Sequence, residues 1–175
     1  MAAAAAACEQ GLAVSLAGGT HHAHHAGGGG FCVFNDVAVT ALHIRRAAPG
    51  FRVLVFDCDV HQGDGSARIL ADHGGIYTCS IHSARNYPHH KASSDFDVSL
   101  PDGTTDETYL QVLETALAHA IKASRPQLLL YIAGADVYAD DRLGRLNLSA
   151  AGIAARDEFV LSYAAKQQIP VAVLM

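Results

Sequence analysis

Short apolar runs alternate with amphipathic stretches along most of the chain. The apolar runs predict five strands, over residues 12–16, 52–56, 76–81, 128–132 and 171–174. Apolar residues at helical spacing predict helices between the strands, over residues 36–47, 64–73, 106–124 and 148–166. Strands that alternate with helices form parallel sheets with right-handed crossovers. The pattern therefore predicts an α/β fold, with a parallel sheet and helices on both faces.

Local signals place some of the element boundaries. Asn35 and Ser149 stand where N-caps are expected, and Pro49-Gly50 stops the first of these helices. Residues 82–105 read as one long polar loop, which exceeds the ~12–15 residues usual for a connection without structure. We expect that loop to be functional or locally ordered. The alanine run at the start is helix-prone, or an arbitrary beginning.

Composition narrows the class of protein. Of the 175 residues, 50% are hydrophobic and 17% are charged, which fits one globular domain or a piece of a larger one. The net charge of −5 and the absence of a basic block argue against nucleic-acid binding. No apolar run approaches the ~20 residues of a membrane helix. The four cysteines form no C-x-x-C pair, so we expect buried free thiols and a reducing compartment.

Histidine and aspartate collect where the predicted strands end. The first, second and fourth strands are followed by His21-His22, by the segment 57–65 and by Asp136, and the third runs into Ser80-Ile81-His82. Ligands of an open parallel sheet bind beyond the carboxyl ends of its strands. Four such endings therefore predict one shared site at that edge.

The segment Asp57-x-Asp59-x-His61 is the strongest local signal. In extended backbone these three side chains point to one face, and two buried carboxylates need a cation or a proton. A divalent metal meets that need, and Asp136 is the natural further ligand from another strand end. The alternative is that these residues are solvated turn residues or helix caps.

The histidines divide into two groups. His21 and His22 are adjacent and point in different directions, so an acid–base pair oriented by Asp57 and Asp64 is the favoured interpretation over a surface loop. The other histidines of the two clusters read as surface residues: His24, His25, His89 and His90.

The run Gly27–Gly30 allows a close backbone approach, and a phosphate cradle is a weak rival because no phosphate-loop motif is present. Phe31 and Tyr87 read equally as core aromatics or as walls of an apolar slot.

Six motifs in this order resemble the zinc-dependent histone deacetylase family. They are GGTHHA (18–23), GFCVFND (30–36), DCDVHQGDG (57–65), SIH (80–82), GAD (134–136) and DRLGRLNLS (141–149). Together they span nearly the whole chain. Gln62 and the runs ARNYP (84–88) and SDFDVSLPDGT (94–104) look like the class IV and bacterial deacetylase-like branch.

The resemblance implies an arginase/deacetylase-like fold, a single catalytic domain over residues 1–175 that is incomplete at both ends. It implies one zinc ion per chain, with iron(II) left open by ligand type, and also a structural potassium. The resemblance implies that the zinc is held by Asp59, His61 and Asp136. It implies that His22, paired with Asp64, is the general base and acid, and that His21, paired with Asp57, gives electrostatic support.

The resemblance also implies two further sets of residues. The walls of an acyl-lysine tunnel are Gly30, Phe31, Tyr87 and Leu143, and the potassium ligands are Asp57, Asp59, His61, Ser80 and Ile81.

One departure from the family bears on activity. Family members carry a Gly-Gly-Tyr segment after the strand that here reaches Met175, and its tyrosine donates to the developing oxyanion. We therefore expect the central portion of a deacetylase, acting on acetyl-lysine in histones or other proteins or on a small acylated amine. The alternative is a catalytically impaired relative that binds metal or partners without turnover.

A two-metal ureohydrolase is disfavoured, because residues 134–139 supply only one of the carboxylates that its D-x-D-x-x-D arrangement needs. The expected location is cytoplasmic, or nuclear in a eukaryote.

Overall fold

The computed structural model describes all 175 residues. It contains one six-stranded sheet, ordered β1-β6-β5-β2-β3-β4, in which every neighbouring pair is parallel. The strands are β1 (Leu12–Ser15), β2 (Val53–Asp57), β3 (Ile76–Ser83), β4 (Phe96–Leu100), β5 (Leu128–Ile132) and β6 (Val171–Leu174). The helices are α1 (Ala2–Gln10), α2 (Asp36–Ala47), α3 (Asp64–Leu70), α4 (Asp106–Ser124) and α5 (Ala150–Lys166).

Both faces of the sheet are covered by helices, as predicted. Alternate residues of β2 enter different cores: Leu54 and Phe56 pack with α4 and α5, whereas Val53 and Val55 pack with α1, α2 and α3. Strands buried on both faces have apolar side chains at successive positions, and all residues of β2 and β5 are buried. The α/β fold class expected from the sequence is confirmed.

The predicted caps are present. The Asn35 side chain accepts a hydrogen bond from the backbone of Ala38, and the Ser149 side chain accepts one from Gly152. Helix α3 ends at Leu70, three residues before the predicted end. The alanine run forms α1, of which Ala4 and Ala7 are buried against the sheet.

Two expectations are wrong. Residues 82–105 are not one loop, because β3 continues to Ser83 and β4 forms the edge of the sheet. Phe96, Val98 and Leu100 of β4 alternate with polar residues and pack on the core, a two-residue period typical of a half-buried strand that the interpretation as a loop overlooked. The thiols also differ: Cys58 and Cys79 are buried and free, but Cys8 is exposed and Cys32 is half-buried.

The carboxyl ends of the parallel strands share one edge of the sheet, and the candidate site lies there. Strands β2 and β5 are direct neighbours, and Asp57 is in register with Ile132 on one side and Ser80 on the other. The residues after β2 and β5 are consequently brought together. None of the helices combines the length and apolar character needed to cross a bilayer.

Candidate metal centre and cleft

Three side chains from two strand ends converge at this edge. Asp59 and His61 follow β2, Asp136 follows β5, and one ligand atom from each lies within 4.8 Å of the others. The Nδ1 atom of His61 lies 3.0 Å from Asp59 Oδ1 and 2.9 Å from Asp136 Oδ2. The sequence predicted these three as metal ligands, and the structure brings them together.

Backbone hydrogen bonds orient both carboxylates. The amide of His61 donates to Asp59 Oδ1 at 2.8 Å, and the amide of Val60 donates to Asp136 Oδ1 at 3.0 Å. Burial lowers the pKa of His61, but the hydrogen bonds that its ring donates to Asp136 and Asp59, together with their charges, outweigh that effect and raise it to about 10. The position between the two carboxylates therefore attracts positive charge. Two carboxylates and one imidazole form a donor set that fits a divalent ion.

Two buried histidine–aspartate pairs lie beside this cluster. His21 Nδ1 is 2.6 Å from Asp57 Oδ2, and His22 Nδ1 is 2.9 Å from Asp64 Oδ1. The two imidazole rings have centroids 4.2 Å apart. Each histidine is therefore held through Nδ1, as the sequence predicted for an oriented pair.

The helix α2 N-terminus holds the loop that carries these histidines. The Asn35 side chain donates to the carbonyls of His21 and Ala23 at 3.1 Å each, in addition to capping α2. Asp36 accepts from the Thr20 amide at 2.8 Å and from the Thr20 hydroxyl at 2.6 Å. The His21-His22 segment is thus tied to a helix end over its whole length.

The two pairs hold protons differently. Burial lowers the pKa of His21, but the charge and hydrogen bond of Asp57 reverse this and raise it to about 9. Burial together with the neighbouring positive charge on His21 lowers the pKa of His22 to about 4, against the opposing effect of Asp64. At neutral pH, His21 is consequently protonated and His22 is neutral.

A cleft of about 730 Å³ opens above the cluster. Its lining includes the predicted metal ligands, both histidines of the pair and all four residues expected in a tunnel, namely Gly30, Phe31, Tyr87 and Leu143. The Tyr87 ring meets the His22 ring edge-on, with centroids 4.9 Å apart. Phe31 is fully exposed and has a positive φ of 63°. Of the two readings left open for Phe31 and Tyr87, the structure favours walls of a slot.

The backbone of Gly30 lies so close to the His22 ring that no side chain would fit at this position. A Cβ placed at Gly30 would collide with the His22 ring, and the backbone there has a φ of +48°. Gly29 and Gly30 of the glycine run therefore lie against His22, which accounts for these two positions without a phosphate.

The five residues expected to bind potassium are also near one another. Ser80 pairs with Asp57 in the β2–β3 register, and its hydroxyl lies 2.9 Å from His82 Nδ1. Asp57 Oδ1 accepts from the Asp59 amide at 3.1 Å. Ligation of potassium by this group stays a prediction.

His24 differs from the surface role expected for it. Its Nε2 lies 3.3 Å from Asp64 Oδ2, and its buried Nδ1 has no hydrogen-bond partner. Asp64 therefore faces both His22 and His24, and Arg68 approaches the same carboxylate at 3.4 Å. The remaining members of that group, His25, His89 and His90, are exposed as expected.

Two residues at the site escaped the sequence reasoning. Asn86 is buried in the cleft wall, donates to the Leu143 carbonyl at 2.6 Å and accepts from the Arg145 amide at 3.0 Å. Its position in ARNYP gave no sign of these distant partners. Arg156 is fully buried on α5. A charged residue four positions from Gly152 and from Val160 on the buried helix face was a signal that could have identified it.

Comparisons with known proteins agree with this geometry. The family model described as "Histone deacetylase domain" matches residues 1–175. An uncharacterized protein of Picosynechococcus sp. is 42% identical over 166 residues, covering 95% of this chain and 55% of the relative. Histone deacetylase 2 of Arabidopsis thaliana is 35% identical over 175 residues, covering 98% of this chain and 45% of the relative.

A third relative extends the comparison to fungi. Histone deacetylase clr6 of Schizosaccharomyces pombe is 35% identical over 163 residues, covering 87% of this chain and 40% of the relative. The chain thus spans about half the length of the curated relatives it matches. The match over the full chain identifies it as a member of the histone deacetylase family.

Proposed function

We propose that the chain carries the catalytic centre of a metal-dependent amide hydrolase that removes acetyl groups from lysine side chains. One observation carries the proposal: two histidines, each held through Nδ1 by a buried aspartate, lie beside a three-residue cluster of possible metal ligands in one cleft. Amide hydrolysis needs a proton acceptor, a source of positive charge and an activated water in one place.

Asp59, His61 and Asp136 would hold the metal, and zinc is the ion we propose because it favours such a nitrogen and oxygen donor set. A bound divalent ion supplies polarisation of the substrate carbonyl and a lowered pKa for a nearby water. A potassium ion near Asp57 and Ser80 would have a structural role, which belongs to the same proposal.

His22 is the proposed general base and acid. Asp64 holds Nδ1 of His22, so that Nε2 is available to accept a proton from a water in the cleft. The lowered pKa of His22 keeps it neutral and ready to accept that proton at neutral pH. The same Nε2 then gives the proton taken from water to the departing lysine amine, so that His22 is neutral again at the end of the reaction.

His21 supports the reaction through charge. Its raised pKa keeps it protonated in its buried pair with Asp57, and it lines the same cleft. A fixed positive charge stabilises the negative charge that develops on the carbonyl oxygen. Because His21 does not give up its proton readily, it complements the proton-transferring role of His22.

The cleft fits a narrow, apolar substrate group. Phe31, Tyr87 and Leu143 line its walls, so the methylene stem of an acyl-lysine can lie between them. Several relatives are named histone deacetylases, so acetylated histone tails are the first substrates we propose, with a part in chromatin regulation. Other acetylated proteins and small acylated amines present the same chemical group.

The test combines metal content with turnover. Purified chain loaded with zinc is incubated with an acetyl-lysine peptide and, separately, with an acetylated polyamine, and the release of acetate is measured. Release that is abolished by His22→Ala, but not by the exposed His43→Ala, would support the proposal. Bound zinc without acetate release from either substrate would overturn it in favour of the non-catalytic alternative.

A further inference from the structure

Arg156 occupies an unusual place for an arginine. Its side chain is fully buried, with 0% of the residue exposed, and it stands on the helix α5 face that packs on the sheet. Arginine is almost never fully buried unless its donors are satisfied. Its hydrogen-bond partners therefore indicate what this position requires.

The guanidinium bonds to the ends of two neighbouring strands. Nη1 donates to the Cys58 carbonyl at 3.2 Å and to the Gly134 carbonyl at 2.8 Å. Cys58 directly precedes Asp59, and Gly134 lies two residues before Asp136. One nitrogen thus joins the two backbone segments that together carry all three proposed metal ligands.

These two segments are already in close contact. A Cβ at Gly134 would lie 2.6 Å from Asp59 Oδ2 and 2.7 Å from Asp59 Cα, so only glycine fits. The Cys58 amide also donates to the Ile132 carbonyl at 2.9 Å. Beyond that bond the regular ladder of the sheet ends, and the two strand ends are joined by Arg156 and by the Val60 amide, which donates to Asp136 Oδ1 at 3.0 Å.

The charge of Arg156 is balanced on the helix side. Its Nε donates to Asp157 Oδ1 at 2.8 Å, and the Tyr131 hydroxyl donates to the same oxygen at 2.6 Å. The guanidinium is therefore paired with the carboxylate of the next residue on its own helix. This pairing reduces the repulsion that an unpaired buried cation would exert on a bound metal ion.

We propose that Arg156 is a positioning residue that fixes the spacing of Asp59 and Asp136 for the metal. The inference rests on the proposed function for the identity of the ligands, and it adds a residue that touches neither metal nor substrate. Outer partners of this kind orient metal ligands, and their loss typically weakens metal affinity about 10–100-fold.

The test uses three variants of the chain in metal-free form. Arg156→Met removes every donor at similar size, Arg156→Lys keeps one charged donor group without the planar fork, and Arg52→Met is the matched control. Arg52 is exposed and donates to the Arg125 carbonyl at 2.6 Å, so it also bonds the backbone, but outside the site. Zinc affinity is measured by competition with a chromophoric chelator, and the unfolding midpoint of the metal-free protein is measured separately.

The expected result is a loss of zinc affinity of about 10-fold or more in Arg156→Met, a smaller loss in Arg156→Lys and none in Arg52→Met. Folded Arg156 variants that bind zinc as the unchanged protein does would overturn the proposal, even if their unfolding midpoint is lower. If Arg156→Met does not fold, Arg156→Lys decides, and failure of both would assign Arg156 to the fold alone.

The test of the positioning role can fail or succeed independently of the test of the proposed function. Zinc binding that depends on Arg156, without acetate release, would support the positioning role and contradict the hydrolase. Zinc binding that does not depend on Asp59 would instead contradict the ligand assignment itself.

Discussion

The Nδ1 atom of His22 lies 2.9 Å from Oδ1 of Asp64, and both side chains are buried. Its neighbour His21 forms the same kind of pair with Asp57, yet the two imidazoles differ in charge. The pKa of His21 is raised to about 9, whereas that of His22 is lowered to about 4, because burial and the His21 charge together disfavour a second cation. Two adjacent, similarly paired residues thus acquire different proposed roles from their surroundings.

Replacement of the proposed base should abolish turnover while the metal remains. We expect His22→Ala to lower kcat for an acetyl-lysine peptide about 10²–10⁴-fold, because the proton acceptor is lost. Asp64→Asn should lower kcat less, since the ring keeps a partner at Nδ1 but loses its carboxylate. Steady-state kinetics with zinc analysis checks both. Equal loss in the exposed His43→Ala control would contradict a specific role for His22.

Replacement of each of the three proposed metal ligands should reduce zinc binding by a different amount. We expect Asp59→Ala and His61→Ala to lose bound zinc and Asp136→Ala to bind zinc more weakly. Asp59 and His61 follow the same strand and are hydrogen-bonded to each other, so they stay oriented as a pair of ligands when Asp136 is replaced. Zinc per chain is measured by elemental analysis after dialysis. The exposed Asp72→Ala is the matched control, and full zinc content in all three ligand variants would refute the assignment.

The sequence predicted the elements whose side chains are apolar on every face or at regular spacing. Strands β2 and β5 were identified because both of their faces are buried, which leaves a continuous apolar run. Strand β4 was missed although Phe96, Val98 and Leu100 alternate with polar residues, because a five-residue alternation inside a polar segment is a weaker signal than a continuous apolar run.

The residues of the candidate site likewise divide into those that the sequence predicted and those that it did not. Asp59, His61 and Asp136 could be grouped beforehand, because parallel strands bring their carboxyl ends to one edge. The bonds of Asn86 to residues 143 and 145 could not, because they join loops whose paths no local pattern specifies. The contact of His24 with Asp64 was missed for the same reason.

Thiol reactivity should follow burial. Cys8 is exposed, whereas burial raises the pKa of Cys58 to about 12 and raises that of Cys79 well above its usual value. A higher pKa means less thiolate at any given pH, so we expect an alkylating reagent at pH 8 to modify Cys8 quickly and to leave Cys58 and Cys79 unmodified. Mass spectrometry of the native chain checks this, with the denatured chain as the control. Rapid modification of Cys58 in native protein would contradict the packing of β2.

Asn86 should control the width of the cleft. Its amide joins the loop that bears Tyr87 to the loop that bears Leu143, through bonds of 2.6 Å to the Leu143 carbonyl and 3.0 Å from the Arg145 amide. Asn86→Ala removes both bonds, each of which contributes about 0.5–1.5 kcal/mol to holding the two loops together.

We therefore expect Asn86→Ala to raise KM for an acetyl-lysine peptide more than it lowers kcat, because the walls loosen while His22 and the metal ligands keep their own hydrogen bonds. Longer acyl groups should be disfavoured less than in the unchanged protein, since a looser wall admits them. Kinetics with acetyl and longer acyl-lysine peptides measures both effects, and the exposed Asn147→Ala, in the loop that bears Leu143, is the matched control. A change confined to kcat would place Asn86 in the chemistry and not in the wall.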